Sequence, residues 1–320
     1  MATEKCGLQI DKNRVKRNHV SSYFETKEHY ATKQKKYDYN NVDNIPSVDT
    51  PKQKKWLDNG LENFSKYYVL GKGGFGIVVK AQYKGKLLAV KVIPKLTTYT
   101  STSLRNEENA VGLRHVNLIQ VFKIIDTNHN FGLVLMEEWG HTNLQKIIND
   151  DNIINMHHKL RILWNVGLAL QYCHENNILH LDVTPKNILI KLPDFSSKLC
   201  DFGSSMNITR NCDQYQKLPK GTIQYISPES LQGKKVTEKS DVYSLGITMW
   251  HLMYEEMPYI GECAHTIAYK VVSQNFRPRT TKRIDNSNLV LLYKSCWQTN
   301  PAQRPSIVSF IDQIKRNISL

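Results

Sequence analysis

His180, Asp182 and Asn187 fall within one short stretch, and a second carboxylate follows nineteen residues after the first, in Asp201-Phe202-Gly203. A carboxylate beside a hydroxyl can take its proton. An amide oxygen and a second carboxylate are hard donors of the kind magnesium accepts, and magnesium usually completes its shell with water and phosphate oxygens. Far upstream, Gly71-Lys72-Gly73-Gly74-Phe75-Gly76-Ile77-Val78 is a glycine-rich run. Glycines let a backbone approach phosphates closely and adopt φ values that other residues resist. Alone, the run would fit any tight hairpin or a dinucleotide fingerprint, but a dinucleotide site needs a helix after it and the residues here read as a strand. Lys91 follows on the next strand, in Ala89-Val90-Lys91. These residue types together suit chemistry between a hydroxyl and a phosphate.

Order and spacing resemble the H-x-D-x-x-x-x-N and D-F-G motifs of protein kinases, with their G-x-G-x-x-G-x-V loop and strand lysine. The resemblance spans about residues 65–316 and implies a protein kinase using ATP and Mg2+. It makes Asp182 the base, Asn187 and Asp201 the metal ligands, and Lys91 the partner of the α/β phosphates. Lys91 then needs a carboxylate on the following helix, and Glu107 and Glu108 are the candidates. Val111 lies four residues after Glu107, on the same helical face, which favours Glu107. Met136 becomes the gatekeeper, and Glu137 to Trp139 the hinge that offers backbone groups to adenine. Leu70, Val78, Ala89 and Leu189 would sandwich the ring, although each would look the same in sequence as plain core.

Gly221-Thr222-Ile223-Gln224-Tyr225-Ile226-Ser227-Pro228-Glu229 resembles the G-T-x-x-Y-x-[AS]-P-E segment of serine/threonine kinases. The likeness places Thr222 beside Asp182, pairs Glu229 with Arg304, and lets Asp241 hold the catalytic loop through backbone amides. Two positions depart from the pattern. Leu181 stands where an Arg usually meets a phosphate on the activation segment, so phosphorylation is not expected to act through that contact. Thr184 stands where serine/threonine kinases carry a Lys against the γ-phosphate. Cys200, directly before Asp201, is either a thiol facing the nucleotide or an inert buried one.

Among kinases the chain is most similar to the Mos family. The similarity rests on His180-Leu181-Asp182-Val183, Asn187-Ile188-Leu189-Ile190, Ile247-Thr248-Met249-Trp250, Pro258-Tyr259-Ile260-Gly261-Glu262, Cys296-Trp297, and Leu104 to His115. Membership implies a kinase that phosphorylates Ser on a MAP kinase kinase in oocyte meiosis. A Wee/Myt-type inhibitory kinase shares an H-L-D-V-like loop but lacks the G-T pair. A pseudokinase scaffold and a basic adaptor acting through the tail are the readings without catalysis.

The elements that must position these residues are legible as two sets. Strands dominate from Tyr67: Tyr67–Leu70 and Ile77–Tyr83 around the glycine turn, Leu87–Ile93, and a hairpin of Val121–Ile125 with Phe131–Met136. A helix is expected near Leu104–Leu113. After Trp139, apolar residues recur at helical spacing through Leu160, Leu163, Trp164, Gly167 and Leu170, ending at Asn176-Asn177. Asp241–Met257 is apolar on nearly all sides, which predicts a central buried helix. Residues 289–298 and 305–315 read as closing helices. The expected fold is α+β and bilobal: a small five-stranded antiparallel lobe with one helix (about 65–137), a hinge (137–140) and a larger helical lobe (141–316), with the cleft between them as the site.

Residues 1–60 read as a polar basic tail, too poor in apolar groups to offset its chain entropy; Trp56, Leu57, Leu61 and Phe64 could form an entry segment. The chain's net charge is +14 over 320 residues. Most of that excess falls after the tail, and no basic cluster is interleaved with aromatics as a nucleic-acid site would require. Six cysteines without a C-x-x-C pair point to reduced thiols. With no signal-peptide core and no long apolar run, a cytoplasmic monomer is expected, with a protein substrate and neither nucleic acid nor membrane as partner.

Overall fold

The computed structural model describes residues 61–73, 76–83, 85–127, 131–140, 142–150, 154–210, 220–279 and 286–318. The tail and the glycine-turn residues Gly74 and Phe75 lie outside them.

Five strands form one antiparallel sheet in the order β1-β2-β3-β5-β4: β1 (Leu61–Gly73), β2 (Gly76–Tyr83), β3 (Lys86–Pro94), β4 (Val121–Asp126) and β5 (Phe131–Met136). β1 begins at Leu61, not Tyr67, and reaches that length through several register shifts against β2. Period-two alternation sorts β3 into two faces. Leu88 and Val90 join Leu133 and Leu135 in one apolar cluster. Ile93, on the opposite face, packs in the main core with Leu104 and Val134. Lys91 shares the Ile93 face and is thereby aimed at the helix that follows.

That helix, α1 (Thr98–Glu107), starts and stops earlier than the sequence suggested. Thr97 and Thr100 make a reciprocal capping box that fixes its first turn. A single 3-10 turn, Glu108–Ala110, ends it, and Val111 is already extended. Ser103, Leu104 and Glu107 form the buried face, whereas Glu108 and Val111 are exposed. Glu107 is the inward carboxylate, as expected, but the Val111 argument for it fails because Val111 is not helical.

The larger lobe holds β6 (Thr142–Asn143), α2 (Leu144–Asn149), α3 (Met156–Glu175), β7 (Ile178–Leu179), β8 (Ile188–Lys191), β9 (Ser196–Leu199), β10 (Met206–Asn207), α4 (Pro228–Leu231), α5 (Glu238–Tyr254), α6 (Ala264–Ser273), α7 (Ser287–Cys296) and α8 (Ile307–Ile318). Every residue of α5 from Ser240 to Tyr254 is buried, the central helix that its all-round apolar pattern predicts. Around it, α3, α7 and α8 contribute Leu163, Leu170, Leu292, Tyr293, Phe310 and Ile314 to one core. Thr237 caps α5, and Glu255 in the left-handed region ends it. No helix among the described residues is long and apolar enough to cross a membrane.

Candidate active site

Lys91 leaves β3 on the α1 side and meets two carboxylates. Its Nζ donates to Glu107 Oε1 at 2.5 Å and to Asp201 Oδ1 at 2.8 Å. Burial alone would lower the lysine's pKa, but the charges of Asp201 and Glu107 outweigh it and raise it well above the ordinary value. Burial pushes the Glu107 carboxyl up against the pull of Lys91. The two tendencies conflict for one pair; the short contacts and the second bond from Phe202 N–H to Glu107 Oε2 at 3.2 Å are those of an ionised carboxylate. Glu107 thus ties α1 to both Lys91 and the Asp201-Phe202-Gly203 turn.

More bonds lock the same joint. Asn106 Nδ2 donates to Gly203 O at 2.8 Å, Asn109 Nδ2 to Ser205 Oγ at 2.9 Å, and Ser205 Oγ to Asn106 O at 2.9 Å. None of these pairs was visible in the sequence, since amides and hydroxyls nearly a hundred residues apart carry no spacing signal.

The catalytic loop runs from β7 through Asp182 to a 3-10 turn, Pro185–Asn187. Asp241, in the first turn of α5 and fully buried, accepts from His180 N–H at 2.9 Å, Leu181 N–H at 2.7 Å and His174 Nε2 at 2.8 Å. Burial would raise its pKa; these bonds and the histidines win and lower it. The anchored loop holds Leu181 at φ 62°. His180 Nε2 bonds Cys200 O at 3.1 Å, and its ring meets Phe202 edge-on at 5.0 Å, which fixes Asp201 relative to Asp182.

Asp182 is held at both oxygens. Thr222 N–H donates to Oδ1 at 2.9 Å and Asn187 Nδ2 to Oδ2 at 2.9 Å. Burial, then the charge of Asp201, raises the Asp182 carboxyl above the usual range. Asp201 goes the other way: burial would raise it, but Lys91 and the Gly203 N–H bring it down. Two neighbouring carboxylates pushed apart in this way divide into a proton acceptor and a permanently charged ligand.

The residues fit magnesium and a nucleotide. Asn187 spends both amide hydrogens on Asp182, leaving Oδ1 as the group it can give to a cation. Asp201 Oδ1 serves Lys91 and Gly203, leaving Oδ2. No group of three or more His, Cys, Asp or Glu side chains suited to a metal occurs among the described residues. Two oxygen donors suit an ion whose shell is completed by phosphates. At the glycine run, a Cβ on Gly71 would meet nothing within 4 Å, and one on Gly73 would find its first neighbour at 4.0 Å. Packing among the described residues therefore does not require glycine there, whereas close approach of phosphates would. Gly76 differs: a Cβ would sit 2.0 Å from Val92 O, so glycine there serves the hairpin.

Ala89 pairs with Met136 across β3 and β5; Ala89 is buried, while Leu70, Ile77, Val78 and Leu189 are half-buried and Lys72 is exposed. Glu137 N–H is spent on Gln120 O at 2.9 Å, so its carbonyl is what it can offer adenine. The hinge is tied to both lobes. Lys80 of β2 bonds Glu138 at 2.7 Å, and Lys198 of β9 bonds Glu137 at 2.6 Å with its Nζ 5.5 Å from the Trp139 ring centroid. Cys200 is half-buried, and burial together with the neighbouring Asp201 carboxylate raises its thiol pKa far above the ordinary value, which disfavours the reactive thiolate.

The arrangement has a base, two metal-ligand oxygens, a phosphate-seeking lysine and a glycine cradle. Residues 64–315 match the family model described as Protein kinase domain. The chain belongs to the protein kinase family. Curated relatives place it further. It is 31% identical over 266 residues to the serine/threonine-protein kinase mos of Patiria pectinifera, an alignment covering 80% of this chain and 76% of that protein. It is 32% identical over 280 residues to the mouse (Mus musculus) proto-oncogene serine/threonine-protein kinase mos, covering 80% and 81%. With the rat (Rattus norvegicus) homologue, identity is 34% over 258 residues, covering 74% and 76%. It is therefore a serine/threonine kinase most similar to Mos, and ATP is its phosphate donor.

In the transfer, Asp182 would orient the substrate hydroxyl and take its proton as the oxygen attacks the γ-phosphorus and the bond from that phosphorus to the ADP oxygen breaks. Lys91, held in place by Glu107 and Asp201, would neutralise phosphate charge. Magnesium, when bound by Asn187 and Asp201, would neutralise further charge on the phosphates. Thr222, by fixing Asp182 Oδ1 from the activation segment, makes loop geometry and substrate platform one unit.

Proposed function

We propose that this kinase uses Mg-ATP to phosphorylate serine on a MAP kinase kinase, feeding the MAP kinase cascade of oocyte meiosis from the cytoplasm as a monomer. The similarity to Mos kinases over four-fifths of the chain carries this reading, and the Gly221–Glu229 segment, which resembles that of serine/threonine kinases, supports it. A catalytically dead MAP kinase kinase offered with labelled ATP tests it: label on serine is expected, and failure to label it while generic serine proteins are labelled would redirect the search for a substrate.

The activation segment supports a second element, that the kinase is active without phosphate on that segment. Leu181 is 6% exposed and packs with Leu179, Met206 and Val236, and with half-buried Ile208. This apolar cluster joins the catalytic loop to β10 and to the chain entering α5, a junction that the usual Arg would tie through a phosphate.

A further inference from the structure

Glu107 can serve Lys91 only while α1 stays seated on the Asp201-Phe202-Gly203 turn, and little apolar contact holds the helix there. Half of its ten residues are Ser or Thr, which are weak helix formers, and a helix this short is marginal in water unless an apolar face packs. Among its described side chains, Leu104 alone joins the main apolar core, followed by Ala110 in the next turn. Yet the helix sits close: a Cβ on Gly203 would lie 2.4 Å from Ser103 Oγ and 3.6 Å from Glu107 Oε1. Polar bonds must therefore set its position.

Those bonds converge on Ser205, which is 1% exposed. Its hydroxyl donates to Asn106 O and accepts from Asn109 Nδ2, both at 2.9 Å. One oxygen thus joins a carbonyl just before Glu107 to an amide just after it. Asn106 Nδ2 adds a bond to Gly203 O at 2.8 Å. On its other side, Ser205 N–H bonds Phe202 O at 2.9 Å. That bond closes the turn whose Phe202 N–H reaches Glu107 Oε2 and whose Gly203 N–H reaches Asp201 Oδ1. We propose that Ser205 is a positioning residue, its hydroxyl shared by Asn106 and Asn109 so that α1 stays seated and Glu107 stays on Lys91. Buried as it is, Ser205 has no surface to offer a substrate and acts through Glu107. Loss of the hydroxyl lets the helix draw away, leaves Lys91 to Asp201 and weakens its hold on the phosphates. The seat acts on transfer to any protein hydroxyl, whichever protein is the substrate.

Ser205→Ala, Asn109→Ala and Glu107→Gln, alone and in pairs, test this in transfer to a serine-containing protein. Ser205→Ala removes two bonds, and kcat should fall about tenfold, with the KM for the protein substrate unchanged. Asn109→Ala removes one of the two and should fall less, and the pair Ser205→Ala/Asn109→Ala should be no slower than Ser205→Ala. In the Glu107→Gln background, removing the Ser205 hydroxyl should cost less than about twofold, because the contact it protects is already broken. Amide hydrogen exchange in Ser205→Ala should quicken in α1 and stay as in the parent in α5, α7 and α8. Unchanged kcat would overturn the proposal, as would an equal fold loss in the parent and Glu107→Gln backgrounds. Faster exchange throughout the molecule would show general destabilisation and overturn it too.

Discussion

Arg304→Met should remove a large part of the stability of the helical lobe. The Arg304 side chain is fully buried and grips Glu229 through two bonds, 2.7 Å from Nη1 to Oε1 and 2.8 Å from Nη2 to Oε2. It also donates to the carbonyls of Gln298 at 2.8 Å, Lys239 at 2.8 Å and Thr299 at 3.3 Å. Without it, the Glu229 carboxylate keeps the Ser240 hydroxyl at 2.7 Å and loses its counter-charge. Breaking one side of a buried pair costs about 3–5 kcal/mol, against a total of about 5–15 kcal/mol for a typical protein. Guanidinium denaturation should show that loss as a lower midpoint with an unchanged slope. The double variant Glu229→Leu/Arg304→Met should lose less than Arg304→Met alone, because no charge is then left stranded. Burial would raise the Glu229 pKa, but Arg304 and Ser240 bring it below the ordinary value. Its contribution is therefore complete above the unfolded carboxyl pKa, about 4.3, and is lost as pH falls through the lower folded value. In Arg304→Met, burial instead raises that pKa, so the gap to the parent protein should narrow as pH drops from 7 towards 4. A loss below about 1 kcal/mol, the range of exposed pairs, would refute the reasoning.

Four further outcomes follow from the same geometry. Gly71→Ala should fold normally yet raise the KM for ATP, whereas Gly76→Ala should lower the melting temperature because its Cβ has no room beside Val92 O; equal melting temperatures would contradict this. The raised Asp182 pKa places the acid limb of the kcat profile above that of an ordinary Asp, since the base works only when deprotonated; a limb at or below about 3.9 would count against it. Leu181→Arg should destabilise the protein by several kcal/mol, because a guanidinium would enter the Leu179, Met206 and Val236 cluster without a partner, and denaturation reads this directly. Thr209→Ala with Tyr215→Phe should keep most activity in a protein-phosphorylation assay, as Thr209 is exposed and, among the described residues, bonds within its own turn to Asn207; complete loss would show that the segment needs a phosphate.

The site was far more legible than its supports. Asp182, Asn187, Asp201, Lys91 and Glu107 converge as the resemblance to protein kinases implied, phosphate chemistry accounting for the residue types, and Glu229–Arg304 and Asp241 followed from the same resemblance. The helix carrying Glu107 was misplaced because its start is set by a Thr97–Thr100 box, a pairing of two threonines that lacks the acidic signature of such caps. Its end owes as much to tertiary contact as to local sequence: Val111 bridges to Val121. The Asn106–Gly203 and Asn109–Ser205 bonds and the Lys198–Glu137 tie join residues by folding alone. Leu181 looked only like a missing charge; three dimensions show the apolar cluster it completes. Gly74 and Phe75, assigned to the nucleotide loop, lie outside the described residues.

The central claim is that Asp182 serves as the base in a site assembled by Lys91, Asn187 and Asp201. Single-turnover transfer of labelled γ-phosphate to a serine protein, with ATP binding measured in parallel, compares the parent chain with Asp182→Asn. Retained Mg-ATP binding with transfer reduced by at least about 10²-fold is the predicted result. Transfer by the variant at the parent rate would contradict it.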